Sequence, residues 1–496
     1  MFDQIHNLMG GFETAFSLYH VLLMCGGVLL GILVGVLPGL GAPNGVTLLL
    51  PLTFMMPPVS AIILLSSMYW GALFGGSTTS ILFNIPGEPS SVATTFDGYP
   101  MARKGDASKA LATAFLAAGF GAMAGIIVVT LIANTIADFA LRFSPPEYFA
   151  IYLLTFCSYV GMSGGAPLKT LASLVIGLVL ATVGMDTISG EMRLTYGSDN
   201  MVGGISFLAA VIGLFGIGEL LVTVEDGLKF EGLKAKMSWR VVWQTIKEMP
   251  QHMVALVRST VIGCWMGITP GGPTAASFMS YGIAKRFSKR GANFGKGEPE
   301  GVVSPEAADH SAGVSALLPM LALGVPGSAT AAVMMGGLMM WGLQPGPMLF
   351  IEQPDFVWGL IASMYLANIV AVVLVLATIP FFASILRLPF SIIGPVIIVV
   401  CLTGAYTIGG KMFDVYLALG FGVIGYVFKK LDYPIAPLIL AMVLGDKTED
   451  AFRQSMLLSD GALSVFFGNG LVGTITSMAL ILLAWGFVGK LFKRRR

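Results

Sequence analysis

Charged residues are scarce in this chain of 496 amino acids. Only 11% of the residues are Asp, Glu, Lys or Arg, against roughly 25% in a typical soluble domain. The formal net charge is +1. The low charge content argues against a soluble globular fold, and the balanced charge offers no field that would attract nucleic acid.

Cysteine and the common catalytic motifs are also rare or absent. The four cysteines, Cys25, Cys157, Cys264 and Cys401, all lie in apolar runs and form no CxxC pair. We expect them to be small buried side chains rather than metal or redox ligands. The sequence contains neither a GxxxxGK[ST] nucleotide-binding motif nor an HExxH metalloprotease motif. We therefore expect no enzymatic activity, no cofactor and no structural metal.

Long apolar stretches are what the chain has in abundance. Hydrophobic residues make up 55% of it, and the mean hydropathy is +0.83. Several stretches, among them 110–136 and 356–385, exceed the ~20 apolar residues that cross a bilayer. We predict an all-α polytopic membrane protein with about 11 to 13 transmembrane or re-entrant helices.

Two short segments rich in Gly and Pro interrupt the apolar stretches of the first half, and both recur in the second half. The segments are Gly35–Asn44 and Asn84–Ser91, followed by Gly267–Thr274 and Gly324–Thr330. Matching prolines of the first pair are 270 − 38 = 232 residues apart, and those of the second pair are 326 − 86 = 240 residues apart. Broken helices at matching places in two halves indicate the binding site of a secondary transporter.

The two halves are predicted to have opposite orientations in the membrane. The loop Lys285–Lys296 is basic, whereas its counterpart near 52–59 carries no charge. The segment Arg103–Lys109 is basic, whereas its counterpart near 343–356 has no Lys or Arg. Because basic loops stay in the cytoplasm, this alternation favours inverted repeats over parallel ones. The basic residues Lys490–Arg496 place the C-terminus in the cytoplasm as well.

These patterns divide the chain into three parts. We predict a first inverted repeat over residues 1–225, a cytoplasmic or interfacial amphipathic linker over 226–254, and a second inverted repeat over 255–496. Gly27, Gly31 and Gly35 recur at four-residue spacing, which predicts close helix packing in the first span.

The breaks combine helix-breaking prolines with hydroxyl and amide side chains. A helix that restarts after such a break presents free amides and the positive end of its dipole to an anion. Two such helix ends would hold two carboxylates of one substrate. The alternative for any one break is a proline kink whose freed carbonyls are satisfied by Ser or Thr. The predicted substrate-binding residues are Gly39, Asn44, Gly87, Ser90, Ser91, Thr94, Gly271, Gly272, Thr274, Gly327, Ser328 and Thr330.

Glu88 is the only acid within the four breaks. An acid inside a membrane is functional by default, so Glu88 is a candidate sodium ligand, proton carrier or partner of a nearby cation. The alternative is a wet loop at the membrane edge. Asn84 and Gly324 are predicted to join Glu88 in ion coupling. Asp309-His310 is either a titrating pair or, as we favour, part of a polar loop, and Asp97 is expected to cap a turn formed by Phe96–Pro100.

Several strings in the chain resemble one known family. They are Gly35–Pro51, Ile85–Gly105, Gly184–Gly197, Gly213–Glu219 and Tyr433–Leu440. Together they are similar to the large membrane subunit of the tripartite tricarboxylate transporters, and the similarity extends over nearly the whole chain. The charged pair in Leu444–Lys447 departs from the neutral stretch expected there.

The resemblance implies a multi-pass subunit of the bacterial inner membrane that imports di- or tricarboxylates such as citrate. Its implied partners are a small membrane subunit and a periplasmic solute-binding protein, its energy source is a sodium or proton gradient, and its movement is elevator-like. A channel-like or structural membrane subunit without alternating access is the alternative function. The sequence leaves open which carboxylate and which ion are carried.

Overall fold

The computed structural model describes residues 2–37, 40–162, 166–186, 188–226, 238–269, 271–385 and 390–493. The protein is 82% helical, as the apolar composition predicts. The one sheet among these residues is a small antiparallel hairpin of β1 (Gly184–Met185) and β2 (Met192–Arg193). The prediction of an all-α polytopic membrane protein is confirmed at this level.

The first part of the chain contains ten helices among the described residues. They are α1 (Phe2–Ala15), α2 (Leu18–Val36), α3 (Gly41–Thr53), α4 (Pro58–Phe83), α5 (Val92–Met101), α6 (Ala107–Ala140), α7 (Pro145–Met162), α8 (Pro167–Ala181), α9 (Phe207–Val211) and α10 (Gly218–Asp226). A 3₁₀ turn at Pro89–Ser91 leads into α5, and π-helical turns follow α5 and α9.

Residues 227–237, which are part of the predicted linker 226–254, lie outside the described residues, and the remaining described helices follow them. They are α11 (Trp239–Glu248), α12 (Met253–Gly267), α13 (Gly272–Phe287), α14 (Glu300–Ser315), α15 (Leu317–Leu323), α16 (Ala329–Met340), α17 (Leu349–Glu352), α18 (Pro354–Ile385), α19 (Phe390–Gly409), α20 (Met412–Lys430), α21 (Ile435–Leu458) and α22 (Gly470–Lys493).

Seven helical segments in the described part of the chain are long and apolar enough to cross a membrane. Three shorter apolar helices, at 167–181, 329–340 and 394–407, accompany them. The predicted total of about 11 to 13 crossing or re-entrant segments therefore stays a prediction. The segment at 58–83 is 94% buried within the protein, whereas that at 470–488 is only 17% buried. Thus α4 is a central helix and α22 a peripheral one.

Small residues bring α2 into backbone contact with α4. A methyl group added at Gly27, Gly31 or Gly35 would lie 2.7, 2.1 or 2.1 Å from a carbonyl oxygen of α4. Any larger side chain would force the two helices apart. The close packing predicted from the four-residue glycine spacing is confirmed.

The helices α12 and α14 of the second half meet in the same way. A methyl group at Gly263 would lie 2.3 Å from the carbonyl oxygen of Ala308, and one at Gly267 would lie 2.4 Å from that of Ala312. These glycines stand 263 − 31 = 232 and 267 − 35 = 232 residues after their first-half counterparts. The local packing is thus repeated with the spacing of the breaks.

The two basic segments of the chain lie next to each other. Lys104 Nζ donates a hydrogen bond to the carbonyl oxygen of Lys296 at 2.5 Å. Nearby, Lys109 forms an ion pair with Glu248 of α11 at 2.7 Å. Loops that the charge pattern assigns to one side of the membrane are therefore neighbours.

Asp97 holds these segments together. Its carboxylate accepts hydrogen bonds from the backbone N–H groups of Gly295, Gly297 and Glu298 and from the Tyr281 hydroxyl. The prediction that Asp97 caps a turn of its own is wrong, because Asp97 lies within α5 and accepts its backbone hydrogen bonds from a segment about 200 residues later. Phe96–Pro100 lies within α5. Pro100 stands near the C-terminal end of this helix, where it removes only the one hydrogen bond that its own N–H would have donated.

Helices α9, α10, α19 and α20 pack against one another. Their shared apolar cluster includes Ile212, Leu220, Cys401 and Ala418. We call this group the side bundle. It borders the segments in which the helices break.

Candidate substrate site

Residues from all four breaks line one cavity of about 590 Å³. A volume of this size suits a small organic molecule. The predicted site residues that line it are Asn44, Gly87, Glu88, Ser90, Gly271, Thr274, Ser328 and Thr330. The structure therefore brings together residues that are up to 286 positions apart, 330 − 44, in the sequence.

The break in the first half has a defined backbone course. Helix α4 ends at Asn84, which adopts a left-handed conformation with a φ of 57°. Glu88 is extended, with φ −137° and ψ 157°, and the chain then turns into α5. Asn84 is thus a helix C-cap, a position that asparagine tolerates. It does not line the cavity, and its predicted role in ion coupling stays a prediction.

The break in the second half follows the same course. Helix α15 ends at Gly324, which is left-handed with a φ of 66°. Ser328 is extended, with φ −147° and ψ 165°, and its hydroxyl caps α16 by accepting the N–H of Ala331 at 3.1 Å. Like Asn84, Gly324 is a C-cap outside the cavity lining, and its ion-coupling role stays a prediction.

A glycine allows each break to approach the helix beside it. A methyl group at Gly87 would lie 2.6 Å from the Gly35 carbonyl oxygen, and one at Gly327 would lie 2.6 Å from the Gly267 carbonyl oxygen. Gly327 is therefore a packing position behind the cavity. Its carbonyl oxygen also accepts the Gly271 N–H at 3.0 Å, which joins the two breaks of the second half.

Glu88 is buried, with only 9% of its surface exposed, which argues against the alternative of a wet loop. Its Oε1 accepts the N–H of Ala42 in the first turn of α3 at 2.5 Å. Its own N–H donates to Ser91 Oγ at 3.2 Å. The protein thus supplies its own carboxylate to the positive end of α3.

Three further predicted residues support the site from behind rather than lining it. Ser91 shares hydrogen bonds with Ser80 of α4, and Thr94 donates to Glu306 Oε1 at 2.6 Å. Gly272 begins α13 with its backbone against that of Met266. Gly39 lies outside the described residues. The substrate-binding roles predicted for these residues stay predictions.

Asp309 and His310 were expected in a polar loop, and this prediction is wrong. Both lie within α14, where Asp309 is 2% exposed and His310 is fully buried. Their helix packs against α4 and α6, and Glu306, one turn earlier, accepts a hydrogen bond from Ser77 at 2.8 Å. In the sequence, a short polar segment close to a proline is typical of a loop. The small residues on either side allow this segment to pack as a buried helix instead.

Sequence reasoning missed two charged residues at the cavity wall. Glu219 of α10 and Lys429 of α20 line the cavity and form an ion pair. Lys429 is the one Lys or Arg among the described lining residues. It stands beside Lys430 at the end of an apolar run, where a basic pair is typical of a membrane boundary. Only the fold shows that one lysine of the pair faces the cavity.

Apolar and aromatic side chains complete the wall. Tyr69, Tyr159, Phe215 and Tyr433 all line the cavity. Among the described residues no group of three or more His, Cys, Asp or Glu side chains is arranged to hold a metal ion. The helix starts and hydroxyls can donate hydrogen bonds to a small anion. The described lining carries two carboxylates, Glu88 and Glu219, and one lysine, so an anion there would depend on hydrogen bonds and helix dipoles rather than on net positive charge.

Comparisons with known proteins agree with this chemistry. The family model described as "Tripartite tricarboxylate transporter TctA family" matches residues 21–440. The chain is 38% identical over 482 residues to the "Uncharacterized 52.8 kDa protein in TAR-I ttuC' 3'region" of Agrobacterium vitis, covering 97% of this chain and 95% of that protein. It is 36% identical over 220 residues to the "Uncharacterized protein in TAR-II ttuC' 3'region" of the same organism, covering 44% and 91% respectively. No solved structure matches the chain.

Proposed function

The chain belongs to the tripartite tricarboxylate transporter TctA family, and we propose that it imports di- or tricarboxylates by symport with Na⁺ or H⁺. Membership makes it a multi-pass membrane subunit of a tripartite transporter and not an enzyme, as the sequence predicts. The single observation that carries the proposal is the meeting of all four breaks at one cavity.

The proposed substrate site lies among the starts of α3, α13 and α16. The first-turn amides of a helix have no partner within that helix, and the helix dipole adds partial positive charge there. Thr274 and Thr330 line the cavity within the first turns of α13 and α16. A carboxylate between these two helix starts would receive amide and hydroxyl hydrogen bonds without requiring an arginine.

Symport is favoured by the electrostatic cost of moving the substrate alone. Import of an anion against an interior-negative potential costs roughly 2.3 kcal/mol per charge per 100 mV. Co-transported cations reduce this cost and the cost of removing the carboxylates from water. Backbone carbonyls at broken helices suit Na⁺, and Glu88 is instead suited to carry a proton. Sodium is the ion we favour.

Alternating access is supported by the position of the cavity between two groups of helices. Gly87, Glu88 and Ser328 belong to the breaks, whereas Glu219 and Lys429 belong to α10 and α20 of the side bundle. Leu40 of the first break packs in the apolar cluster of the side bundle, at the boundary between the two groups. Elevator-like movement of the part that contains the breaks against the side bundle, to which both predicted repeats contribute helices, would expose such a site to each side in turn. The repeated glycine contacts of α2 with α4 and of α12 with α14 support a repeat origin of the two halves.

The proposed partners are a small membrane subunit and a periplasmic solute-binding protein that delivers the substrate. The proposed location is the bacterial inner membrane, with the C-terminus and the adjoining basic segments near Lys104 and Lys296 in the cytoplasm. These expectations follow from family membership and from the distribution of basic loops.

Counterflow in proteoliposomes tests the proposal. Vesicles loaded with unlabelled citrate, succinate, malate or tartrate should transiently accumulate the same labelled acid, whereas a channel would only equilibrate it. Ser328→Leu, which fills the cavity, should abolish counterflow. Ser459→Leu, at a helix end outside the cavity lining, is the matched control. Simple equilibration, or wild-type counterflow by Ser328→Leu, would contradict the proposed transport or site.

A further inference from the structure

The two halves of the site differ in one important respect. Glu88 places a carboxylate 2.5 Å from the Ala42 N–H, at the start of α3. The residue 240 positions later is Ser328, whose hydroxyl caps its own helix. The start of α13 therefore has no internal acid from the equivalent position. A symmetric site would offer an anion the starts of both α3 and α13, but the Glu88 carboxylate already occupies the start of α3.

A second substrate carboxylate therefore needs another partner. Lys429 is the one Lys or Arg among the described cavity-lining residues. Its ammonium is held by Glu219, a carboxylate that also lines the cavity, and the side chains are 32% and 6% exposed respectively. An internal acid thus occupies the position that a substrate acid would take beside the lysine.

We propose that Lys429 binds a second carboxylate of the substrate, which displaces Glu219 from the lysine. This inference rests on the proposed carboxylate transport and assigns the group that distinguishes acids with several carboxylates from acids with one. The exchange replaces one ion pair by another, so the partly buried ammonium is never left without a counter-charge, which would be costly. Glu219 in turn would be released toward the cavity, where a co-transported cation can balance it.

The position of the Glu219–Lys429 ion pair also bears on how the two groups of helices move against each other. Glu219 and Lys429 both belong to the side bundle, whereas Glu88 and Ser328 belong to the breaks. A substrate with one carboxylate at the helix starts and another at Lys429 bridges the two groups of helices. A monocarboxylate cannot form this bridge, which gives selectivity a structural basis.

The experiment compares an acid with its half-amide, in which one carboxylate is neutralised without a large change of shape. Binding to the purified full-length chain in nanodiscs is measured for citrate, succinate, malate and tartrate, and the tightest is paired with its half-amide. The readout is the ratio of the two dissociation constants. Glu219→Gln removes the internal competitor, and Glu219→Gln with Lys429→Gln removes the charge pair without leaving a buried lone acid.

We expect Glu219→Gln to bind the full acid more tightly than the wild-type protein does. The double variant should bind it at least about tenfold more weakly than Glu219→Gln, which corresponds to roughly 1.4 kcal/mol, while the half-amide changes little. Lys429→Arg should retain the preference for the full acid. Lys430→Gln is the matched control, because Lys430 is the adjacent residue, pairs with Glu225 at 2.7 Å and does not line the cavity.

The outcomes separate this inference from the proposed function. A double variant that loses affinity for both ligands equally would show a structural role for the pair and overturn the inference. The inference would also be overturned if the ratio of the dissociation constants of the acid and its half-amide were the same in the double variant as in Glu219→Gln. Carboxylate binding by the wild-type protein would still support the proposed function in that case. A wild-type protein that binds none of the four acids would overturn the proposed function, and the inference with it.

Discussion

Replacement of Gly327 by alanine tests the packing that shapes the site. The added methyl group would lie 2.6 Å from the Gly267 carbonyl oxygen and 2.9 Å from the Ala316 Cα. Ordinary van der Waals contact begins near 3.4 Å, so the first separation must grow by about 3.4 − 2.6 = 0.8 Å. Both neighbours are backbone atoms, and no side-chain rotation can remove the overlap.

The strain must therefore move the break itself, or displace α12 and the junction of α14 and α15 at Ala316 away from it. Overpacking of this kind costs roughly 1–3 kcal/mol. The movement also reaches the cavity, because the Gly327 carbonyl oxygen accepts the Gly271 N–H at 3.0 Å. We expect Gly327→Ala to lower both thermal stability and carboxylate affinity.

The assay is thermal unfolding of the purified protein with and without substrate, together with counterflow. Gly282→Ala is the matched control, since it lies on exposed α13 surface where a methyl group meets nothing within 4 Å. A glycine-to-alanine change at such a helical site stabilises by up to about 1 kcal/mol. Wild-type stability and counterflow in Gly327→Ala would refute the packing argument.

Three further predictions follow from the structure. Asp97→Ala should destabilise the protein by about 3 kcal/mol or more in chemical unfolding, because it removes a carboxylate that accepts several charge-assisted hydrogen bonds. Tyr281→Phe, which removes only the hydroxyl bond to Asp97, should cost about 1 kcal/mol. Glu88→Gln should remove the cation dependence of counterflow, because an amide supplies neither a negative charge for sodium nor a site for a proton. The same change should weaken the contact with α3 by roughly 1 kcal/mol. Single cysteines at Asp106 and Lys289, in a chain without its four native cysteines, should both react only from the cytoplasm.

Each of these predictions has a contradicting result. Equal stability losses in Asp97→Ala and Tyr281→Phe would mean that the backbone N–H bonds to Asp97 contribute little. Unchanged cation dependence in Glu88→Gln would assign coupling to another group. Labelling of one cysteine, but not the other, by an impermeant reagent outside intact cells would contradict the shared orientation of the basic segments.

The breaks could be read from the sequence because their chemistry is local. Proline lacks an N–H and glycine permits close backbone approach. Pro86-Gly87 and Pro326-Gly327 therefore favour the end of a helix whatever the rest of the fold is. Their repetition at nearly constant spacing then predicted that they meet, and most of the predicted polar residues do line one cavity.

The remaining features depend on contacts that local patterns do not encode. Lys429 faces the cavity because α20 packs on α10, and nothing in the basic pair at the end of α20 distinguishes the residue that turns inward. Asp309 and His310 are buried because α14 is surrounded by other helices. Glu88 was recognised as unusual, but its bond to Ala42, 46 residues away, required the fold.

We propose that the cavity between the breaks is the carboxylate site. A structure with bound bromosuccinate, whose bromine is located by anomalous scattering, would reveal the site itself. We expect a bromine peak within the cavity lined by Glu88, Ser328 and Lys429. A peak instead in the separate cavity of about 390 Å³ lined by Arg193 and Asp446 would contradict it.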